Sequence, residues 1–323
     1  MREIARILTL LEQRMESPAV LATLVQVAGS SYRLPGARLL WFPDGGHTGS
    51  ISGGCLEGDV IEHAKVVLAT GQARRVAYDM AAENDLVWGT GSGCAGRVLV
   101  LIEPVPAIRP GWIATVRQNL LARLTTRLVV VHGGAGELGT RLAEGAPAAT
   151  AEGEFLDEIQ PPPHLLVFGA GDDAQPLARL ALELGWQVTV VDSRGAAATA
   201  ARFPGASVLV AAPESAVASV VIDARTLAVV MTHRFREDAV LLRILLAAPL
   251  AYLGVLGPRR RTERLLAEIG AAVASEKLHA PVGLDLGGDT PEAVALAILA
   301  EMQCQLTGRA PIHLRDRAAP IHG

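Results

Sequence analysis

The chain has 323 residues, 50% of them hydrophobic and 19% charged, with a formal net charge of -4 and a pI near 6.1. That length and apolar fraction suffice for two cores of ordinary size, so a globular protein of two domains is expected. The mild negative charge and dispersed arginines give no electrostatic basis for nucleic-acid binding, and no loop-free run of about 18 apolar residues predicts a membrane span.

The first segment, MREIARILTLLEQRMES, places Ile4, Ile7, Leu8 and Leu11 at helical spacing with charges between them. This is the pattern of an amphipathic helix and not of a signal peptide, which makes the cytoplasm the expected location. Val20 to Val27 reads as an apolar strand, Arg38 to Phe42 as a short second strand, and Asp44-Gly45-Gly46 as a hairpin turn. In GSISGGCLEGDVIEHAKVVLATG, residues 49 to 71, a glycine-rich loop opens a helix from about Leu56 to Ala69. Cys55 sits at the start of that helix, where the positive end of the dipole favours thiolate. Glu57 and Asp59 oppose this by charge repulsion, and a small packed residue beside a tight turn accounts for Cys55 equally well.

A strand near Arg75 to Tyr78 precedes a second glycine cluster, WGTGSGCAGRVLVLIEPV, in which Cys94 leads into a strand from Arg97 to Ile102. Cys55, Cys94 and Cys304 are too few and too widely spaced for a disulfide framework or a zinc site, so reduced thiols and no metal are expected. Cys304 is expected in the core of the last helix. Residues 109–163 read as a connecting segment between an N-terminal domain, 1–108, and a C-terminal domain, 164–323. Within that segment Trp112 to Leu124 looks helical and Leu128 to Val131 forms a strand. The glycines at 134, 136 and 139 match G-x-G-x-x-G, but neither a useful helix nor an apolar strand ending in an acid follows, so this match is rejected as a nucleotide site.

The stretch HLLVFGAGDDAQPLARLALELGWQVTVVD, residues 164 to 192, reads as strand, glycine turn, helix and strand. Gly169 and Gly171 allow a close backbone approach, and Asp192 lies about 20 residues beyond, where a dinucleotide fold places the acid that binds a ribose hydroxyl. Asp172 and Asp173, at the expected start of the helix, oppose a bound pyrophosphate. Two alternatives remain open on these residues: a dinucleotide site, as in an NAD(P)-dependent oxidoreductase, or a fold of the same shape that binds no dinucleotide.

Further strands at Val208 to Ala211, Leu227 to Met231 and Ala251 to Leu256, with helices at Glu237 to Ala247 and Pro291 to Leu306, favour a Rossmann-like, doubly wound parallel sheet beside a smaller α+β domain. Ligands of such sheets bind beyond the carboxyl ends of the strands. That rule selects His233 after one strand and Arg259 to Arg261 after another. The arginines open a helix, and at least one guanidinium is expected to reach a pocket and clamp a phosphate. His233 and His279 suit hydrogen-bonded structural roles as well as ligand contact. Asp285 reads as a turn or cap residue.

Several segments together resemble the XdhC/CoxI family, the accessory factors of xanthine dehydrogenase and related molybdenum hydroxylases. They are GSSYRLPGARLL and GSISGGCLEGDV in the first domain, then VFGAGDDAQPLARLALELGWQVTVVDSR, VVMTH, YLGVLGPRRR and HAPVGLDLGGDTPEAVALAILAEM in the second. The resemblance implies a carrier without substrate turnover. Such a carrier binds the molybdenum cofactor, protects it while a cysteine desulfurase installs its terminal sulfur, and inserts it into a hydroxylase client. It also makes a homodimer plausible. Carried over by position, Gly169, Gly171, Arg259 and Arg260 would hold the phosphate end of the pterin, while Cys55 and Glu57 would approach from the first domain. Asp172 stands where the family commonly has histidine, which shifts the expected anion site from the turn to the arginines.

Overall fold

A computed structural model describes residues 2–79, 96–145, 151–270 and 275–319. Cys94 and the glycine cluster before it lie outside the described residues. The chain divides into two compact units, Met1–Pro161 and Pro162–Ile321.

The first unit opens with helix α1 (Arg2–Gln13) and strand β1 (Ala19–Gly29). Strands β2 (Arg38–Trp41) and β3 (His47–Gly49), helix α2 (Glu57–Thr70), and strands β4 (Arg74–Asp79) and β5 (Gly96–Val105) follow. The strands form an antiparallel sheet in the order β3-β2-β1-β5-β4. Side chains alternate across a strand. Val20, Ala22 and Leu24 therefore pack with Val60, Ala64 and Val67 of α2, while Ala19 and Leu21 pack with Ile7 and Leu11 of α1. Because both faces are covered, β1 reads in the sequence as a continuous apolar run instead of an alternating one.

Helix α3 (Gly111–Leu121) closes the α1 face with Trp112, Ile113 and Val116. Strands β6 (Thr126–Val131), β7 (Gly139–Leu142) and β8 (Glu154–Ile159) form a small antiparallel sheet, β7-β6-β8. Val131 pairs with Gly139, so the G-x-G-x-x-G of residues 134–139 lies in the connection between antiparallel strands, a context in which no helix N-terminus meets the turn.

The second unit contains β9 (His164–Phe168), α4 (Ala174–Glu183), β10 (Gln187–Asp192), β11 (Ser207–Val210) and α5 (Pro213–Ala218). It continues with β12 (Thr226–Val230), α6 (Phe235–Ala247), β13 (Tyr252–Val255), α7 (Arg259–Ile269), β14 (Leu278–His279) and α8 (Pro291–Thr307). All six strands are parallel, in the order β11-β10-β9-β12-β13-β14. This is the 3-2-1-4-5-6 order of a doubly wound sheet, and its topological switch point lies between β9 and β12.

Leu165, Val167, Leu227 and Val229 face α4 and α8 through Leu177, Ala181, Ile298 and Met302. Leu166, Phe168, Ala228 and Val230 face α5, α6 and α7 through Ala216, Leu242 and Leu265. Each fully buried leucine contributes about 1.5 to 3 kcal/mol, and this two-sided burial fixes the strand register.

Thr290 caps α8 by accepting the Ala293 N–H at 3.2 Å, with Pro291 in the first turn. Cys304, expected in the core, is only half-buried, because the α8 face toward the sheet is carried by Ala295, Ile298, Leu299 and Met302. Helix α4 begins at Ala174 rather than near Asp172. Asp172 and Asp173 instead make a turn that carries the chain from the glycines into the helix.

Candidate functional site

The carboxyl edge of the parallel sheet brings together the ends of β10, β9, β12 and β13, which carry Asp192, Gly169 to Asp173, Thr232 to Arg234, and Gly257 to Arg261. Gly169 is fixed by geometry on two counts. Its φ is +120°, and a Cβ there would lie 2.3 Å from the Met231 carbonyl oxygen beyond β12. The turn is thus pressed against the neighbouring strand at the switch point.

The chain's own side chains fill this turn. Asp192, whose side chain is fully buried, accepts the Ala170 N–H at 2.9 Å and the Arg194 N–H at 2.9 Å. It also accepts from the guanidinium of Arg194 at 2.7 and 3.0 Å and from that of Arg234 at 3.1 Å. Burial acts to raise its pKa, but the Arg194 side chain and the Ala170 and Arg194 amides outweigh it and hold the carboxyl well below the usual carboxylate range. The acid expected to bind a ribose hydroxyl is therefore a saturated acceptor.

Asp173 folds back toward the glycines, its Oδ1 lying 2.5 Å from where a Cβ of Gly171 would be. The other oxygen meets His233 Nε2 at 3.0 Å, so a contact spans the switch point. His233 has a φ of 59° and an exposed ring. Asp172 is bound by Arg202 Nη2 at 2.6 Å, and Arg202 Nη1 donates to the Ala170 carbonyl at 2.7 Å. Where an open dinucleotide turn offers amides to an anion, this one holds internal carboxylates.

The three arginines after β13 divide into two kinds. Arg259 and Arg260 are exposed in the first turn of α7, and no ion pair or hydrogen bond engages either side chain among the described residues. Arg261, expected with them at the pocket, turns inward and meets the buried Asp238 carboxylate at 2.7 Å. Its stem passes over Gly257, whose φ is +129° and where a Cβ would approach Arg261 Cδ to 3.2 Å.

In the first unit, the loop before α2 is organised by Glu57. Its carboxylate accepts the amides of Ile51, Ser52, Gly53, Gly54 and Leu56 at 2.8 to 3.2 Å. It also accepts the hydroxyls of Ser50 and Ser52 at 2.7 and 2.5 Å. Burial raises its pKa, but hydrogen bonds from Ser52 and Ser50 outweigh this and hold it at about 2. Glu57 is thus spent within the loop. Cys55 is exposed at the crest of the loop, between the Gly54 and Leu56 amides that the carboxylate gathers.

His279 belongs to a set of contacts that its place in the sequence does not reveal. The ring stacks on Tyr252 at 4.3 Å, and its Nδ1 lies 3.2 Å from Glu301, which also accepts the Gly283 N–H at 2.8 Å and the Tyr252 hydroxyl. HAPVG is therefore a loop pinned to α8. Asp285 lies in the exposed stretch before α8. Among the described residues, no three His, Cys, Asp or Glu side chains group as a metal site, and no helix is long and apolar enough to cross a membrane.

Residues 165–302 match the model of the XdhC Rossmann domain, and residues 13–79 match that of the XdhC and CoxI family. A Bacillus subtilis protein named as a probable xanthine dehydrogenase subunit is 34% identical over 317 residues, covering 91% of this chain and 94% of the relative. The chain belongs to the XdhC and CoxI family. A crystal structure described as a xanthine dehydrogenase from Bacillus halodurans is 31% identical. It superposes with a TM-score of 0.84 over 96% of this chain and 97% of its own. The "Molybdenum cofactor insertion chaperone PaoD" of Escherichia coli is 27% identical over 298 residues, covering 88% of this chain and 82% of that relative. The XdhC and CoxI match takes in the Cys55 loop, and the XdhC Rossmann match takes in the filled turn and the α7 arginines.

Proposed function

We propose that this chain is an accessory factor of a xanthine dehydrogenase-type molybdenum hydroxylase, which binds the molybdenum cofactor as cargo and delivers it to that client. The observation that carries the proposal is the division of labour at the carboxyl edge. The turn is filled by Asp192 and Asp173, while Arg259 and Arg260 stand at a helix N-terminus without partners among the described residues. The family's PaoD relative, named for cofactor insertion, supports the nature of the cargo.

In this scheme Arg259 and Arg260 hold the phosphate end of the pterin by charge-assisted hydrogen bonds. Gly169 and Gly171 shape the edge without binding the anion, and Asp192 and His233 hold the edge together. Cys55, on the loop that Glu57 fixes, is a separate contact point for the cofactor in the first unit. The role is that of a carrier, and the scheme requires no substrate turnover. A cysteine desulfurase as sulfur donor, a homodimeric state and a cytoplasmic location belong to the same proposal.

An NAD(P)-dependent oxidoreductase is favoured by the strand order and opposed by the saturated Asp192. The cargo role is tested by purifying the protein from cells that make molybdopterin and assaying oxidised pterin by fluorescence. Bound pterin is expected in the native protein, with less in Arg259→Ala/Arg260→Ala and in Cys55→Ser. An empty native protein at saturating cofactor overturns the cargo role.

A further inference from the structure

The carboxyl edge contains a buried charge that the cargo scheme leaves unused. Asp238, in the first turn of α6, is 1% exposed. Its Oδ1 accepts the hydroxyl of the buried Thr232 at 2.5 Å, and that hydroxyl oxygen in turn accepts the Arg234 N–H at 3.0 Å. Its Oδ2 lies 2.7 Å from Arg261 Nη2. Oδ2 and both terminal nitrogens of Arg261 have no hydrogen-bond partner among the described residues. The two groups therefore hold each other by charge in a site shielded from water, where removing either leaves the other uncompensated.

The elements joined in this way are the end of β12, the start of α6 and the start of α7. The glycine before α7 leaves room for the Arg261 stem, and Arg264 lies over the Phe235 ring at 5.6 Å, giving α6 and α7 a second tie. Arg259 and Arg260 precede Arg261 directly, in the same helical turn. Their direction from the sheet edge follows from how that turn is seated.

We infer that Asp238 is the positioning residue of the anion site, acting through Arg261 to set the first turn of α7 and with it the aim of Arg259 and Arg260. This rests on the assignment of those two arginines to the phosphate end of the cargo. It adds that the third arginine of the motif supplies no charge to the ligand, and that a carboxylate more than twenty residues upstream in the chain is part of the same site.

The test measures binding of inorganic pyrophosphate to the full chain by calorimetry, in the native protein, Arg259→Ala/Arg260→Ala, Asp238→Ala, Arg261→Ala and the Asp238→Ala/Arg261→Ala double variant. Native binding lost in Arg259→Ala/Arg260→Ala establishes the arginine site. Asp238→Ala and Arg261→Ala are each expected to weaken binding by about tenfold, and the double variant by no more than either alone, since both act through one contact. Asp238→Asn, which retains the hydrogen bond to Thr232 and is the variant more certain to fold, is expected to weaken binding in the same direction.

A loss of stability without loss of pyrophosphate affinity would make Asp238 merely structural and overturn the inference while leaving the arginine site intact. Additive losses would also overturn it. Native protein that binds no pyrophosphate, or binds it equally without Arg259 and Arg260, overturns the arginine assignment and the inference together.

Discussion

Replacing Glu57 by glutamine tests whether the Cys55 loop is built around one carboxylate. The carboxyl is held at about 2 against an ordinary value of 4.5, a difference equivalent to roughly 3.4 kcal/mol if fully expressed. Glu57 is only half-buried, so solvent screening reduces the expected cost to about 1 to 2 kcal/mol. The amide of glutamine adds a second effect, since its N–H groups would face the Ser52 hydroxyl and the amides of Gly54 and Leu56, which now donate to Oε2. The folded-state pKa lies below the unfolded one. The stabilisation is therefore complete above about pH 4.5 and is lost as pH falls toward 2. Urea unfolding of native and Glu57→Gln protein at pH 7 should show the full difference, shrinking steadily in a series taken down to about pH 3. Equal stability at pH 7, or a difference independent of pH, would refute a charge-organised loop.

Gly169→Ala is expected to destabilise the second unit by at least about 2 kcal/mol, because the added Cβ meets a backbone oxygen at a positive φ; thermal unfolding measures this. Asp192→Ala should cost about 2 to 4 kcal/mol by orphaning the Ala170 amide and two guanidinium contacts, as read by denaturant titration. NADH at about 1 mM should leave the native melting temperature unchanged, and a saturable rise would show that the turn opens to a dinucleotide. Alkylation of the native protein should modify Cys55 quickly because it is exposed, and Cys55→Ser should remove one fast-reacting thiol in a mass-resolved time course.

The doubly wound sheet was legible because β9, β10 and β12 are apolar runs between turn signals, buried on both faces. Strands β7 and β8 left no comparable mark: each is short and half-exposed, so neither alternation nor an apolar run reveals it. Helix α5, with six residues, is too short for a periodic signal.

At the candidate site, sequence spacing placed the residues at the carboxyl edge of the sheet and could not say how they contact one another. Asp173 was visible as an acid in the wrong place for a phosphate, but its partner His233 lies 60 residues away and is brought near only by the β9–β12 pairing. Arg259 to Arg261 look alike as a run. Helical rotation and the space over Gly257 separate the inward one from the exposed pair. The Glu57 cage had a local signal, two serines and a carboxylate around adjacent glycines at a helix start, which is the composition of a carboxylate gathering nearby amides.

An acceptor tethered a few bonds from a turn competes at an effective concentration far above that of a free metabolite, on the order of millimolar even for a loose tether. Asp192 on Ala170 is such a tethered acceptor. A nucleotide seeking that turn would have to displace it and also break its contacts with the guanidinium groups of Arg194 and Arg234. If that competition holds, a dinucleotide adds no stability to the folded second unit, which is what the NADH melting measurement reads. The sheet keeps the strand order of a dinucleotide-binding fold while its turn is occupied from within.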